Sequence, residues 1–173
     1  MTSIEVQLIE AVSNSRDINI IKELILNGAD VNYVPRSPGQ TPLLIASMYG
    51  LMDVCKLLLD HGANVNYQTS QRNYPYRQRH TALIVSISVH IDIMKLLLEY
   101  GADAEAVNGE ALKFAKKRKK TLHIELLEEH IFQKKLAIAQ KRLLVGKLFY
   151  SNLGKNLVEE GLYEQISLEI LIL

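Results

Sequence analysis

The sequence predicts an all-α solenoid: about four helix-turn-helix units stacked with hairpin-like fingers between them, then a C-terminal helical segment. Three observations carry this. A tail recurs three times, as IIKELILNGADVN at 20–32, KLLLDHGANVN at 56–66 and KLLLEYGADAE at 95–105. A Thr-led apolar start precedes two of the tails, TPLLIASM at 41–48 and TALIVSIS at 81–88. The unit length is roughly 33 residues, too short to close a core alone and suited to stacking.

The bulk composition permits this reading. Hydrophobic residues make up 48% and charged residues 23%, as in an ordinary folded chain and unlike a disordered one. No apolar run reaches the roughly 18 residues a membrane helix needs. The N-terminus, MTSIEVQLIEAV, has acids at Glu5 and Glu10 and no basic segment before its apolar residues, so it does not read as a secretory signal. One cysteine, Cys55, excludes an internal disulfide. In its context, VCKLLLD, it reads as a small buried apolar residue.

The elements follow in order. The first unit spans about 4–36; Leu8, Ile9, Ala11 and Val12 supply a worn first helix. The second spans about 37–70. Thr41 is an N-cap with Pro42 at the first helical position. Gly50 ends that helix by taking a positive φ, and Asp53 suits the start of the next helix dipole. Val54, Leu57 and Leu58 form its apolar stripe. The third unit spans about 77–106. Its Lys95 stands 14 residues after Thr81, whereas Lys56 stands 15 after Thr41, so the turn between its helices must be tighter by one residue. The fourth, 107–130, keeps the Ala-Leu start and Leu126-Leu127 but loses the Gly-Ala-Asp ending. Beyond it, IFQKKLAIAQKRLLVGKL at 131–148 reads as an amphipathic helix with Leu136, Ala139, Leu143 and Val145 on one side and Lys134, Lys135, Lys141 and Arg142 on the other. Asn152-Leu153-Gly154 is a break, and Leu157–Leu173 is helical again by its spacing of Val158, Leu162, Ile166 and Ile170. The extension 131–173 is expected to cap the stack or to bind a partner of its own.

The TPLL start, the three Gly-Ala-Asp/Asn tails and the unit length resemble the ankyrin-repeat family over about residues 4–130. Where the family has Thr-Pro-Leu-His, this chain has TPLL and TALI, so the His that ties neighbouring turns is absent. The worn first and last units are what capping repeats require. The resemblance implies a non-enzymatic protein-interaction module that holds its partner with a concave face and projecting fingers. In style, short and rich in Ile, Lys and Asn, the chain also resembles ankyrin effectors of intracellular bacteria and ankyrin proteins of large viruses. That likeness implies action on host proteins in a host cytosol or nucleus, and otherwise a cytoplasmic place.

The fingers supply the candidate binding residues. Eight residues separate Asn32 from Thr41, and 14 separate Asn66 from Thr81. The longer finger, YQTSQRNYPYRQRH, holds Tyr67, Arg72, Tyr74, Tyr76, Arg77 and Arg79 and almost no aliphatic residue. Tyr and Arg are enriched at binding hot spots because they offer large contact area with polar tips. A neutral insertion is the competing reading, since surface loops tolerate length cheaply. The first finger, YVPRSPGQ, contributes Tyr33 and Arg36. On the inner helices Ser47, Met48, Tyr49, Ser86, Ser88 and Val89 are expected to face the groove; Met48 and Tyr49 are the expected contacts, and helix packing would place them equally well.

Charge is uneven. Residues 1–110 hold 8 Lys/Arg against 12 Asp/Glu, residues 111–155 hold 12 against 3, and residues 156–173 hold none against 4. The densest run is Lys116, Lys117, Arg118, Lys119 and Lys120. It reads as a solvated turn of the last unit, as a nuclear-targeting or nucleic-acid patch, or as a surface for an acidic protein or lipid. Nucleic-acid association is the alternative function. No base-stacking aromatics interleave the run. His61, His80, His90, His123 and His130 show no metal-ligand spacing, and there is no phosphate loop or nucleophile elbow. The expectation is therefore no metal, no cofactor, no catalysis, no membrane span, and a monomer with a protein partner.

Overall fold

A computed structural model describes residues 2–36, 39–69 and 80–150. Eight α-helices are found there: α1 (Ile4–Glu10), α2 (Ile18–Leu26), α3 (Pro42–Tyr49), α4 (Met52–Asp60), α5 (Ala82–Val89), α6 (Ile91–Glu99), α7 (Ala106–Lys117) and α8 (Thr121–Tyr150). A π-helical turn, Ala11–Ser15, prolongs α1. No strand occurs among the described residues. The chain divides into two compact units, Met1–Leu127 and Glu128–Leu173. In the first, an inner row packs α3 on α5 and α5 on α7, and an outer row packs α2 on α4 and α4 on α6. The predicted break at 152–154 and helix at 157–173 lie outside the described residues.

The helices begin where the sequence supplies caps. Thr41 Oγ1 accepts from the Leu44 amide at 3.2 Å and Thr81 Oγ1 from the Ile84 amide at 3.3 Å. Both threonines are buried, so each hydroxyl satisfies an amide that water cannot reach, a role worth about 1 kcal/mol against alanine. Asp17 does the same for α2, its carboxylate accepting from the Asn19 amide at 2.9 Å. Between α3 and α4 the chain uses two residues, Gly50 at φ 76° and Leu51. Between α5 and α6 it uses His90 alone, in extended backbone at φ −148°. This is the tighter turn required by the missing residue, and it needs no glycine because extended backbone suits any side chain.

The outer helices all stop alike. Gly62 and Gly101 both stand at φ 83°. The Ala63 amide donates to Leu58 O at 3.0 Å and the Gly62 amide to Leu59 O at 3.0 Å. Ala102 and Gly101 repeat the pair on Leu97 and Leu98. A side chain at these positions would be held in the left-handed region, where only glycine sits without strain.

Stacking is fixed at the tails. Asn32 bridges to the next repeat twice: its Nδ2 donates to Gly62 O at 3.0 Å and its Oδ1 accepts from the Asn64 amide at 2.7 Å. Asn66 does likewise with Gly101 O at 3.1 Å and the Asp103 amide at 2.8 Å. The third tail carries Glu105 at the same register; a carboxylate accepts but cannot donate, so the ladder does not continue. Directly after it, Val107, Asn108 and Gly109 have φ of 54°, 56° and 71°. The α-helix of the last unit effectively starts from Glu110.

The core is built from these helices. Leu8, Val12, Ile21, Leu43, Leu58, Leu83, Ile87, Ile93, Met94, Leu97 and Leu127 are almost wholly enclosed. Cys55 is buried as expected; its Sγ lies 3.6 Å from Ser47 Oγ. Burial pushes the Cys55 thiol up to about 11, against a smaller downward pull from Ser47.

Three outcomes follow for solution work. Asn66→Ala removes two inter-repeat hydrogen bonds at an exposed site and should lower the unfolding free energy by about 1–2 kcal/mol. Asn66→Asp, lacking the donor, should cost a comparable amount, read as a shift of the urea midpoint at constant slope. The Cys55 thiol should resist a disulfide reagent at neutral pH in the folded chain and react in one step with unfolding in denaturant; prompt labelling of native protein would contradict its burial.

Candidate functional site

Exposed groups on the inner row are few, because helices α3 and α5 are enclosed nearly all round. Six of the eight residues of α3 are buried. Tyr49, at its last turn, is the exception, with 43% of its surface exposed. The Arg16 guanidinium lies over the Tyr49 ring, 4.4 Å from its centre. Arg16 is the link between the first helix and α2 and stands in left-handed backbone at φ 53°. The cation holds the ring in place and leaves its other surface open, an arrangement worth about 0.5–1 kcal/mol at an exposed site. Met48, beside it, is half-buried.

Two of the expected groove residues are not there. Ser47 and Ser86 are fully buried. Ser86 Oγ donates to Leu83 O at 2.8 Å, and Ser47 meets Cys55. Their polar atoms are satisfied inside the helix packing, so they are core residues of small volume. Ser88 is exposed, and the side chain of Val89 is not among the described ones.

The finger bases are tied to the stack. Tyr67 is half-buried, and its hydroxyl donates to Gly39 O at 3.2 Å. That contact joins the start of the long finger to the end of the short one. Burial raises the Tyr67 phenol above its ordinary value. At the neck of the long finger the Thr69 amide donates to His80 O at 3.0 Å, and the His80 amide donates to Thr69 Oγ1 at 2.9 Å. Thr69 and His80 therefore meet as a closed pair at the base of the loop. Tyr33 is half-buried and Arg36 exposed in the first finger. Arg72, Tyr74, Tyr76, Arg77 and Arg79 lie outside the described residues.

The basic run sits where the last unit turns. Lys116 and Lys117 close α7, and Arg118, Lys119 and Lys120 make the turn into α8; all five are exposed. Arg118 stacks on Phe114, 5.2 Å from its ring centre. Lys119 holds φ 54°, at the position where the outer helices elsewhere place glycine. Among the described residues no group of three His, Cys, Asp or Glu is arranged to hold a metal ion, and no helix is long and apolar enough to cross a membrane.

Comparison with known proteins decides the family. Residues 8–108 match the family described as ankyrin repeats in three copies. The chain belongs to the ankyrin-repeat family. The match ends where the asparagine ladder ends. Human 2-5A-dependent ribonuclease shares a stretch of 57 residues at 40% identity, which is 33% of this chain and 8% of that protein. The chain thus spans a small fraction of the curated relative. Ankyrin repeats are protein-interaction modules. Arg16 escapes a motif search, since no ankyrin signature residue marks it. Its register is the signal: it precedes the α2 cap just as Gly50 precedes the start of α4, which sets it beside the inner helix of the following repeat.

The finger neck should respond to pH. Burial pushes His80 below its ordinary 6.5, against a smaller upward pull from Glu110. The folded chain therefore favours the neutral imidazole. That preference costs nothing above the unfolded value and destabilises the fold as pH falls below it. Wild-type stability should decline between about pH 7.5 and 5.5, and His80→Gln should decline less over the same interval, measured by urea midpoints.

Proposed function

We propose that this ankyrin-repeat protein is a non-catalytic binding module. A protein partner is held on the inner row and the fingers, with Tyr49 and Arg16 at the centre of the contact. The observation that carries the reading is the Tyr49 ring, exposed at the end of a helix whose first six residues are buried and supported from one side by Arg16. Such a ring loses little conformational freedom on binding, which makes it suited to be an anchor. Met48, Tyr33, Arg36 and Tyr67 contribute further contacts to the same partner, and the long finger adds Arg72, Tyr74, Tyr76, Arg77 and Arg79. The closed neck at Thr69 and His80 favours this use, because a loop pinned at its base spends less entropy when its tip is captured. Action on host proteins, as an effector would act, is a finer form of the same reading and rests on style of composition alone. The ribonuclease shares too short a stretch for its activity to be assigned here.

A second reading has one observation in its favour. Lys116–Lys120 are all exposed on one turn, a density suited to phosphates. Salt separates the two. Phosphate binding weakens steeply with salt in proportion to the contacts made, whereas a Tyr/Arg-centred protein interface depends on it less.

The test is affinity capture from extract, with and without nuclease, followed by titration of the captured protein. The native chain would be run beside Tyr49→Ala, Arg16→Ala, a Tyr74→Ala/Tyr76→Ala/Arg77→Ala finger variant, and Lys117→Gln/Lys119→Gln/Lys120→Gln. Tyr49→Ala should weaken the captured protein by about 30-fold, the ~2 kcal/mol expected of a hot spot. The lysine variant should leave it within about threefold, as rim charges do. Capture that vanishes with nuclease, and only with the lysine variant, would replace the protein-partner reading with the nucleic-acid one.

A further inference from the structure

The second compact unit, Glu128–Leu173, presents a helix face of mixed chemistry. Within α8, Lys135, Ile138, Ala139, Arg142 and Leu143 line one shallow depression. Their spacing of three, four, seven and eight residues places them on a single side of the helix. Apolar side chains on this segment are far from enclosed: Phe132 is 60% exposed, Leu143 62% and Leu144 59%. Phe132, Leu136, Ala139 and Leu143 make a continuous stripe at helical spacing, which in water calls for a cover.

The occupant must suit the charge. Residues 131–148 contain five Lys/Arg (Lys134, Lys135, Lys141, Arg142 and Lys147) and no Asp or Glu. A second copy of this face would bring like charges together, which destabilises a helix pair. The last 18 residues of the chain have the opposite character. They hold Glu159, Glu160, Glu164 and Glu169 and no Lys or Arg. Val158, Leu162, Ile166 and Ile170 recur at every fourth residue. The two segments are both 18 residues long, about 27 Å each as helices. Five residues, 151–155, lie between the end of α8 and the second segment, with Asn152 and Gly154 as turn formers, a length typical of connections between antiparallel helices.

We propose that residues 156–173 are the occupant: the acidic, apolar end of the chain docks on the basic, apolar face of α8 between Phe132 and Leu144. The surface is accordingly a receptor for an acidic amphipathic helix. The chain's own end is its resident ligand, and an outside partner with that chemistry would have to displace it.

Hydrogen exchange on the full-length chain tests this, with the mass in solution measured in parallel. Amides in 156–173 should exchange at least about tenfold more slowly than a free chain, at a rate independent of protein concentration and in a monomer. Leu143→Asp should lose at least about tenfold of that protection while amides in 8–108 stay unchanged. Lys135→Glu/Arg142→Glu should lose it too, and adding Glu160→Lys/Glu164→Lys to the same chain should recover part of it. Three results would overturn the proposal. They are free-chain exchange of 156–173 in the native protein, protection untouched by both α8 variants, or protection that rises with concentration alongside a doubled mass, which gives the face to a second copy.

Discussion

Asn32 and Asn66 are small polar side chains at the surface, yet the order of the repeats depends on them. Each reaches across to the next tail and holds both a carbonyl and an amide there. Hydrophobic burial is the larger energy; enclosing one Leu gains about 1.5–3 kcal/mol, against about 1 for a net hydrogen bond. Burial alone, however, is indifferent to a small slide of one helix pair along another. The amide is not, because its donor and acceptor must meet their partners together. The glycine-ended outer helices present those partners: Gly62 and Gly101 are both the stop of a helix and the carbonyl that the preceding asparagine reads. Capping, chain reversal and stacking therefore meet at the same few atoms.

A second cross-repeat contact supports this. The Tyr100 hydroxyl donates to the Asp60 carboxylate, one tail to the next, and that bond, the largest cause, raises the phenol above its ordinary value. It lies outside in water, so its share of stability is small beside the asparagine bridges.

Much of this was legible in the residues. Thr41 and Thr81 announce their caps, the repeated Gly-Ala announces the stops, and the one-residue deficit before Lys95 announces the single-residue turn at His90. What was not legible has a common cause. Helices α3 and α5 are apolar nearly all round, so their periodicity does not say which side faces out. Ser47 and Ser86 looked like groove residues because they are polar, but a small hydroxyl that can bond a neighbouring carbonyl or thiol fits a tight helix interface at little cost. Arg16 was missed for the converse reason. Its role depends on the backbone bend after a degenerate first helix, which no motif marks and only its register against Gly50 records. The continuous run of α8 from Thr121 to Tyr150 spans what the pattern suggested as two segments, since nothing between His130 and Ile131 can break a helix.

The end of the asparagine ladder at Glu105 gives the molecule a direction under load. Pulled from its termini, a stack of this kind yields unit by unit, because each repeat touches only its neighbours. The junctions bridged by Asn32 and Asn66 must break two hydrogen bonds at once, while the junction beyond Glu105 carries a carboxylate in place of that donating and accepting amide and begins with Val107 and Asn108 in left-handed backbone. Stretching would peel the last unit first and leave the three bridged repeats intact. The protein would then behave as a short spring with a built-in weak link, one that can lengthen at its basic end without giving up the surface around Tyr49.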